Sequence, residues 1–141
     1  MKRKVMLSIR GTQHYEEQEP EVIELITEGT LEKKESSWEL IYQESDLTGL
    51  AGVTTSFLLE GDKIVLTRTG KLNSQMVFQV GVLHNSLYEM EFGALMLTVC
   101  ASNIDYDLSE SGGTIDLVYG IEIEQTSAGV IDYHLEITAV K

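Results

Sequence analysis

The feature that most constrains this chain is a strict alternation of side-chain character in its C-terminal part. Apolar residues occupy every second position in two segments separated by the turn-like residues 126–129. Because successive side chains of a β-strand point to opposite faces, a period of two predicts half-buried strands. Two such segments joined by a short turn predict a β-hairpin. The apolar positions that we expect on the inner face are Ile115, Leu117, Tyr119, Ile121, Leu135 and Ile137.

The same pattern recurs along the whole chain. Further strands are predicted within residues 5–9, 22–31, 38–42, 53–59, 63–69, 74–81, 87–91 and 95–108. About ten short strands with little helix are typical of a sandwich or a barrel. A meander leaves two unpaired edges unless it closes, so we predict an all-β, antiparallel up-and-down barrel of about eight to ten strands. A two-sheet sandwich remains the alternative, since it needs the same alternation.

Length and cysteine usage indicate one cytoplasmic domain. A chain of 141 residues fits a single hydrophobic core, so we expect one β-barrel domain over residues 1–141. The lone Cys100 cannot form an internal disulfide, which favours a reducing compartment. The apolar residues 5–7 are too few for a signal-peptide core, and no stretch approaches about 18 apolar residues. We therefore expect a cytoplasmic protein with no membrane partner.

The charge of the chain argues against nucleic acid as a partner. Ten basic residues and 23 acidic residues leave a net charge of −13. Such a field repels a phosphate backbone instead of collecting its counterions. An acidic surface of this kind is typical of a soluble domain.

No motif for catalysis or metal binding is evident. His14, His84 and His134 stand apart without ligand spacing, although His134 could pair across strands with a neighbouring acid. Asp105 and Asp107 share a strand face, but no calcium loop follows them. We expect no catalytic residues, no metal and no cofactor; an enzyme assembled from distant groups ranks last among the candidate functions.

Two segments carry a family resemblance. Residues 87–99 read Leu-Tyr-Glu-Met-Glu-Phe-Gly-Ala-Leu-Met-Leu-Thr-Val, and residues 113–119 read Gly-Thr-Ile-Asp-Leu-Val-Tyr. Residues 87–99 resemble the Tyr-Glu-Thr-Pro-Phe-Gly turn before a long strand in the YwiB-like family of small bacterial β-barrel proteins of unknown function. Residues 113–119 resemble the glycine loop before the next strand in the same family. Met90-Glu91 replaces the Thr-Pro of that turn. The resemblance implies a calycin-like barrel, related to lipocalins and fatty-acid-binding proteins, in Gram-positive cytoplasm, and it implies no known reaction.

Arg68 is the candidate polar anchor for a ligand. Arg68 has the same strand parity as Ile64 and Leu66. If those two side chains face the interior, the guanidinium of Arg68 points to the barrel mouth, where it could hold a carboxylate or phosphate group. The alternative is a solvated strand end. A small apolar, amphipathic or anionic ligand would then be lined by Phe57, Met76, Phe78, Tyr119 and Tyr133. These large side chains could equally fill the barrel, which would leave a protein that acts through its outer surface as an interaction or assembly module.

The strand around Met96 is apolar on both faces. Met96, Thr98 and Cys100 alternate with Leu95, Leu97 and Val99. An apolar outer face is normally covered, so we expect a homodimer whose contact includes Met96 and Cys100. The alternative is cover by the acidic loop at residues 16–20.

Overall fold

The regular elements of the computed structural model are all β-strands. The structure describes residues 2–14, 19–44, 51–90, 93–124 and 126–140, without the side chains at positions 90, 127 and 128. Within these ranges it contains no helix, and so none that is long and apolar enough to cross a membrane. The ten strands are β1 (Lys2–His14), β2 (Glu21–Lys33), β3 (Ser37–Gln43), β4 (Val53–Glu60), β5 (Lys63–Gly70), β6 (Ser74–Gln79), β7 (Leu83–Met90), β8 (Gly93–Ser109), β9 (Gly112–Ile123) and β10 (Thr126–Ala139).

The strands form one antiparallel sheet that curls into a nearly closed barrel. Their order is β6-β5-β4-β3-β2-β1-β10-β9-β8-β7, so the first and last strands pair in the middle of the sheet. The two edges, β6 and β7, meet through short bridges at Asn73–Glu89 and Gln79–Val82. The amides of Asn73 and Glu89 each donate to the other's carbonyl oxygen, at 3.0 and 2.8 Å. The predicted barrel is therefore confirmed, and the sandwich alternative is wrong.

The alternating apolar residues fill the inside of this barrel. All the predicted inner residues of the C-terminal hairpin are buried except Ile121, which is partly buried against the others. Leu40, Leu59, Ile64 and Leu66 complete the wall from the opposite strands. Because every strand except β7 contributes buried apolar side chains, a single continuous core results.

Glycines at two strand ends allow close backbone approach. Gly70, the last residue of β5, has φ +120°, and a Cβ there would overlap the carbonyl oxygen of Gly52. Gly113 in the β8–β9 hairpin has φ +148°, and a Cβ there would overlap the carbonyl oxygen of Asp107. Only glycine adopts these conformations without strain.

β7 differs from its prediction because it begins at Leu83, four residues early. The inward positions His84 and Ser86 are polar, which hid the alternation. Ser86 is nevertheless buried, and its hydroxyl donates to the carbonyl oxygen of Gln75 on β6. The expected turn at residues 92–93 and the loop at residues 16–20 lie partly outside the described residues.

Candidate functional site

One end of the barrel contains a pocket of about 180 Å³. The ends of β1, β3 and β5 and the beginnings of β2 and β10 surround it. Ile9, Leu25 and Ile131 supply apolar walls, and Tyr42, Glu44, Arg68 and Tyr133 supply polar groups. A mostly apolar cleft with a few convergent polar groups is the usual form of a small-molecule site.

Arg68 reaches into this pocket from inside the barrel. Its side chain shares the inner face with Ile64 and Leu66 and is only 11% exposed. Its Nη2 donates a long hydrogen bond of 3.4 Å to the hydroxyl of Tyr133. Its Nε is buried and finds no hydrogen-bond acceptor in the described part of the chain. The structure thus places Arg68 where strand parity predicts, while its role as a ligand anchor stays a prediction.

The charge of Arg68 is maintained by its surroundings. Burial acts to lower the pKa of Arg68, but the neighbouring Tyr133, Tyr119 and Glu44 more than offset it, so the pKa is raised. A guanidinium carries its charge at every physiological pH in any case. The pocket therefore contains a permanent, nearly buried positive charge.

Glu44 is the acidic partner of Arg68, and no sequence motif pointed to it. Its side chain is 2% exposed, and its Oε2 lies 3.9 Å from Nε of Arg68. The same oxygen accepts a 2.5 Å hydrogen bond from the hydroxyl of the buried Thr55. Glu44 directly follows β3, where an acidic residue is normally read as part of an exposed loop. Leu40, Tyr42 and Glu44 are nevertheless spaced by two and share one face. Extending that parity past the strand end could have found it.

Neutral tyrosines surround the charged pair. Burial, and next the charge of Glu44, raises the pKa of Tyr42. Burial also raises the pKa of Tyr119, whose ring stacks on that of Tyr133 at 6.3 Å between centroids. Hydroxyls with raised pKa values remain protonated, so they supply hydrogen bonds without adding charge.

A buried hydroxyl lies next to Arg68 on the neighbouring strand. Ser74 on β6 is the direct ladder partner of Arg68, and both line an open groove beside the barrel seam. Its buried Oγ has no hydrogen-bond partner among the described residues. Buried polar atoms are rarely left unpaired, so Ser74 Oγ and Arg68 Nε mark a place suited to a further polar group.

Comparison with known proteins places the chain in a family. A model described as "Domain of unknown function (DUF1934)" matches residues 7–137. The chain belongs to the DUF1934 family. It is similar to the "Uncharacterized beta-barrel protein YwiB" of Bacillus subtilis (strain 168), with 29% identity over 103 residues, which are 73% of this chain and 71% of the relative. The resemblance inferred from residues 87–99 and 113–119 is confirmed.

A solved structure shows the same fold as this DUF1934 domain. The "Crystal structure of ywiB protein from Bacillus subtilis" matches with a TM-score of 0.87 and 22% identity, covering 99% of this chain and 94% of the other. At that identity the likeness concerns the fold. The expected all-β barrel is confirmed by it.

The predicted ligand-lining residues separate into two groups in the DUF1934 barrel. Arg68 and Tyr133 line the pocket, whereas Phe57, Met76, Phe78 and Tyr119 lie in the packed core, at most 2% exposed. Phe78 and Tyr119 lie in ring contact at 4.4 Å between centroids. Because a small barrel is filled by its own side chains, room remains at the mouth and not along the axis.

The outer face carries exposed apolar residues on β7 and β8. Met96 is 43% exposed and Leu83 is 71% exposed, while Cys100 is half-buried. Leu83 is the ladder partner of Cys100, and Leu87 is that of Met96. The hydrogen-bonded pair of Asn85 and Thr98 lies between these two apolar pairs on the same outer face. Their part in a homodimer stays a prediction.

Three other ionisable groups that the sequence brought forward, His134, Asp105 and Asp107, lie at the surface. His134 pairs with Asp116 across strands, with 2.6 Å between Nδ1 and Oδ1, and its Nε2 lies 3.4 Å from Oε1 of Glu136. Asp105 and Asp107 are exposed. Among the described residues, no group of three or more histidine, cysteine or acidic side chains could hold a metal ion.

Proposed function

We propose that this DUF1934 barrel is a non-catalytic binding protein. It holds a small amphipathic ligand in the pocket at its open end, with the anionic group of the ligand on Arg68. The observation that carries the proposal is the guanidinium itself, which is nearly buried, lines the pocket, and has an Nε without an acceptor in the described residues. A planar guanidinium of this kind suits carboxylate or phosphate oxygens.

The size of the pocket limits the ligand. The pocket measures about 180 Å³, and an apolar cavity of roughly 150 Å³ accommodates benzene. A compact organic acid fits these dimensions. A long-chain lipid would have to displace the packed Phe57 and Phe78, at a cost of several kcal/mol for each large core side chain.

Native mass spectrometry of the protein purified from the cells that produce it tests the proposal. We expect a small-molecule adduct on the wild type that is lost from Arg68→Gln. Lys63→Gln is the matched control, because Lys63 lies on the same strand but on its outer face and the variant removes the same charge. An adduct of equal occupancy in Arg68→Gln, or no adduct on the wild type, would contradict the proposal.

The second candidate function is an interaction or assembly module that uses the outer surface. The apolar pairs Leu83–Cys100 and Leu87–Met96 on one outer face favour it, because exposed apolar side chains grouped on one face are typical of contact surfaces. A second copy of the chain is the proposed partner. The cytoplasmic location and the calycin-like classification remain parts of the proposal, and nucleic acid is not a proposed partner because of the net charge of −13.

A further inference from the structure

The pocket presents two opposite charges side by side. Arg68 and Glu44 both line it, and both side chains are nearly buried. Their 3.9 Å separation between Nε and Oε2 is longer than the roughly 2.7–2.9 Å of a charge-assisted hydrogen bond. The two groups therefore attract each other without closing into a tight pair, and the pocket as a whole carries no excess positive charge.

This charge balance disfavours a simple anion. A carboxylate bound to Arg68 would lie close to the buried carboxylate of Glu44 as well. Repulsion between buried like charges is poorly screened. A ligand that brings its own positive group beside Glu44 removes this repulsion.

The hydrogen-bonding capacity of the pair fits a ligand with both charges. Arg68 offers a planar fork of donors to a carboxylate. A carboxylate accepts about four hydrogen bonds, so Glu44 can accept from an ammonium group while it keeps the bonds from Thr55 and Tyr42. Ile9, Leu25 and Ile131 provide an aliphatic wall for the body of the ligand.

We infer that the ligand is a small zwitterion of the α-amino-acid type, with its carboxylate on Arg68, its ammonium on Glu44 and a compact aliphatic side chain against the apolar wall. This inference rests on the proposed function and specifies its ligand class.

Isothermal titration calorimetry with three matched probes tests the inference. Leucine carries both charges, 4-methylpentanoate lacks the ammonium, and 3-methylbutylamine lacks the carboxylate. We expect leucine to bind at least about tenfold more tightly than either of the others, since one charged hydrogen bond is worth about that factor. In Glu44→Gln the advantage of leucine over 4-methylpentanoate should disappear, and Lys63→Gln should keep it.

The possible results separate the inference from the proposed function. Equal or tighter binding of 4-methylpentanoate would overturn the zwitterion and leave the proposed function intact. Equal or tighter binding of 3-methylbutylamine would overturn both, because Arg68 would not be the anchor. If no probe binds but the natively purified protein carries an Arg68-dependent adduct, the inference is wrong and the proposed function holds; if neither is observed, both are wrong. Should Glu44→Gln fail to fold by circular dichroism, the wild-type series alone decides.

Discussion

Removal of one partner from the buried pair should destabilise the protein strongly. In Glu44→Leu the guanidinium of Arg68 keeps its charge inside the barrel, and the hydroxyl of Thr55 loses its acceptor. At the 3.9 Å separation of the pair, an effective dielectric constant of about 20 gives an interaction of about 4 kcal/mol. Breaking a buried ion pair from one side typically costs about 3–5 kcal/mol. We therefore expect the free energy of unfolding to fall by about 3–4 kcal/mol.

Removal of both charges should restore most of this loss. The double variant Glu44→Leu with Arg68→Met has no buried charge to desolvate but still leaves the buried hydroxyl of Thr55 without its acceptor, so its free energy of unfolding should lie within about 1–2 kcal/mol of the wild type. Because each single variant leaves one buried charge unpaired, the double-mutant cycle should then give a coupling energy of at least about 3 kcal/mol. The double variant should fold well because it has no unpaired buried charge. It should carry no native adduct because it lacks Arg68, the proposed anchor.

Urea denaturation followed by the fluorescence of Trp38 measures these changes, since Trp38 is the single tryptophan and packs partly against the core. The matched control is the surface pair Lys4–Glu28, which is shorter at 3.1 Å but has side chains 62% and 61% exposed. Glu28→Leu should cost less than about 1 kcal/mol. If Glu44→Leu costs as little as Glu28→Leu, the buried guanidinium is compensated in another way and the reasoning is refuted.

Three further results are expected. The hydrogen bond to Asp116 raises the pKa of His134 and outweighs the opposite, smaller effect of burial. The pairing of His134 with Asp116 therefore contributes fully to stability below about pH 6.5, and this contribution is lost as the pH rises through the raised pKa. The stability difference between wild type and His134→Gln in urea titrations should shrink as the pH rises, and a constant difference would argue against this pairing. Gly113→Ala should lower the free energy of unfolding by more than about 1 kcal/mol because of its positive φ, whereas Gly120→Ala, which has open space for a Cβ, should cost nothing; equal effects would contradict the strain argument. Light scattering at micromolar concentration should show a dimer that Met96→Asp dissociates, and a monomeric wild type would end the homodimer proposal.

Local sequence alone was sufficient for the strands and for the direction of most side chains. The alternation around Ile115 and Leu135 predicted which residues face the core, because the period of two is a property of each strand by itself. The same parity rule placed Arg68 inside the barrel with Ile64 and Leu66. It failed for β7, where the inward His84 and Ser86 are polar and the pattern of hydrophobicity no longer reports the direction.

Only the tertiary structure decided what the barrel interior holds. The sequence predicted Phe57, Met76 and Phe78 as ligand-lining residues because inward parity is the same in a filled barrel and in a hollow one. Their burial depends on how closely the opposite strands approach each other. That distance is the width of the barrel, which is set by the number of strands and by the register of all of them together. The pairing of Arg68 with Glu44 likewise joins residues 24 positions apart through the ladders of β3, β4 and β5. No local pattern contains that distance, so the charge balance of the pocket became visible only when the sheet was formed.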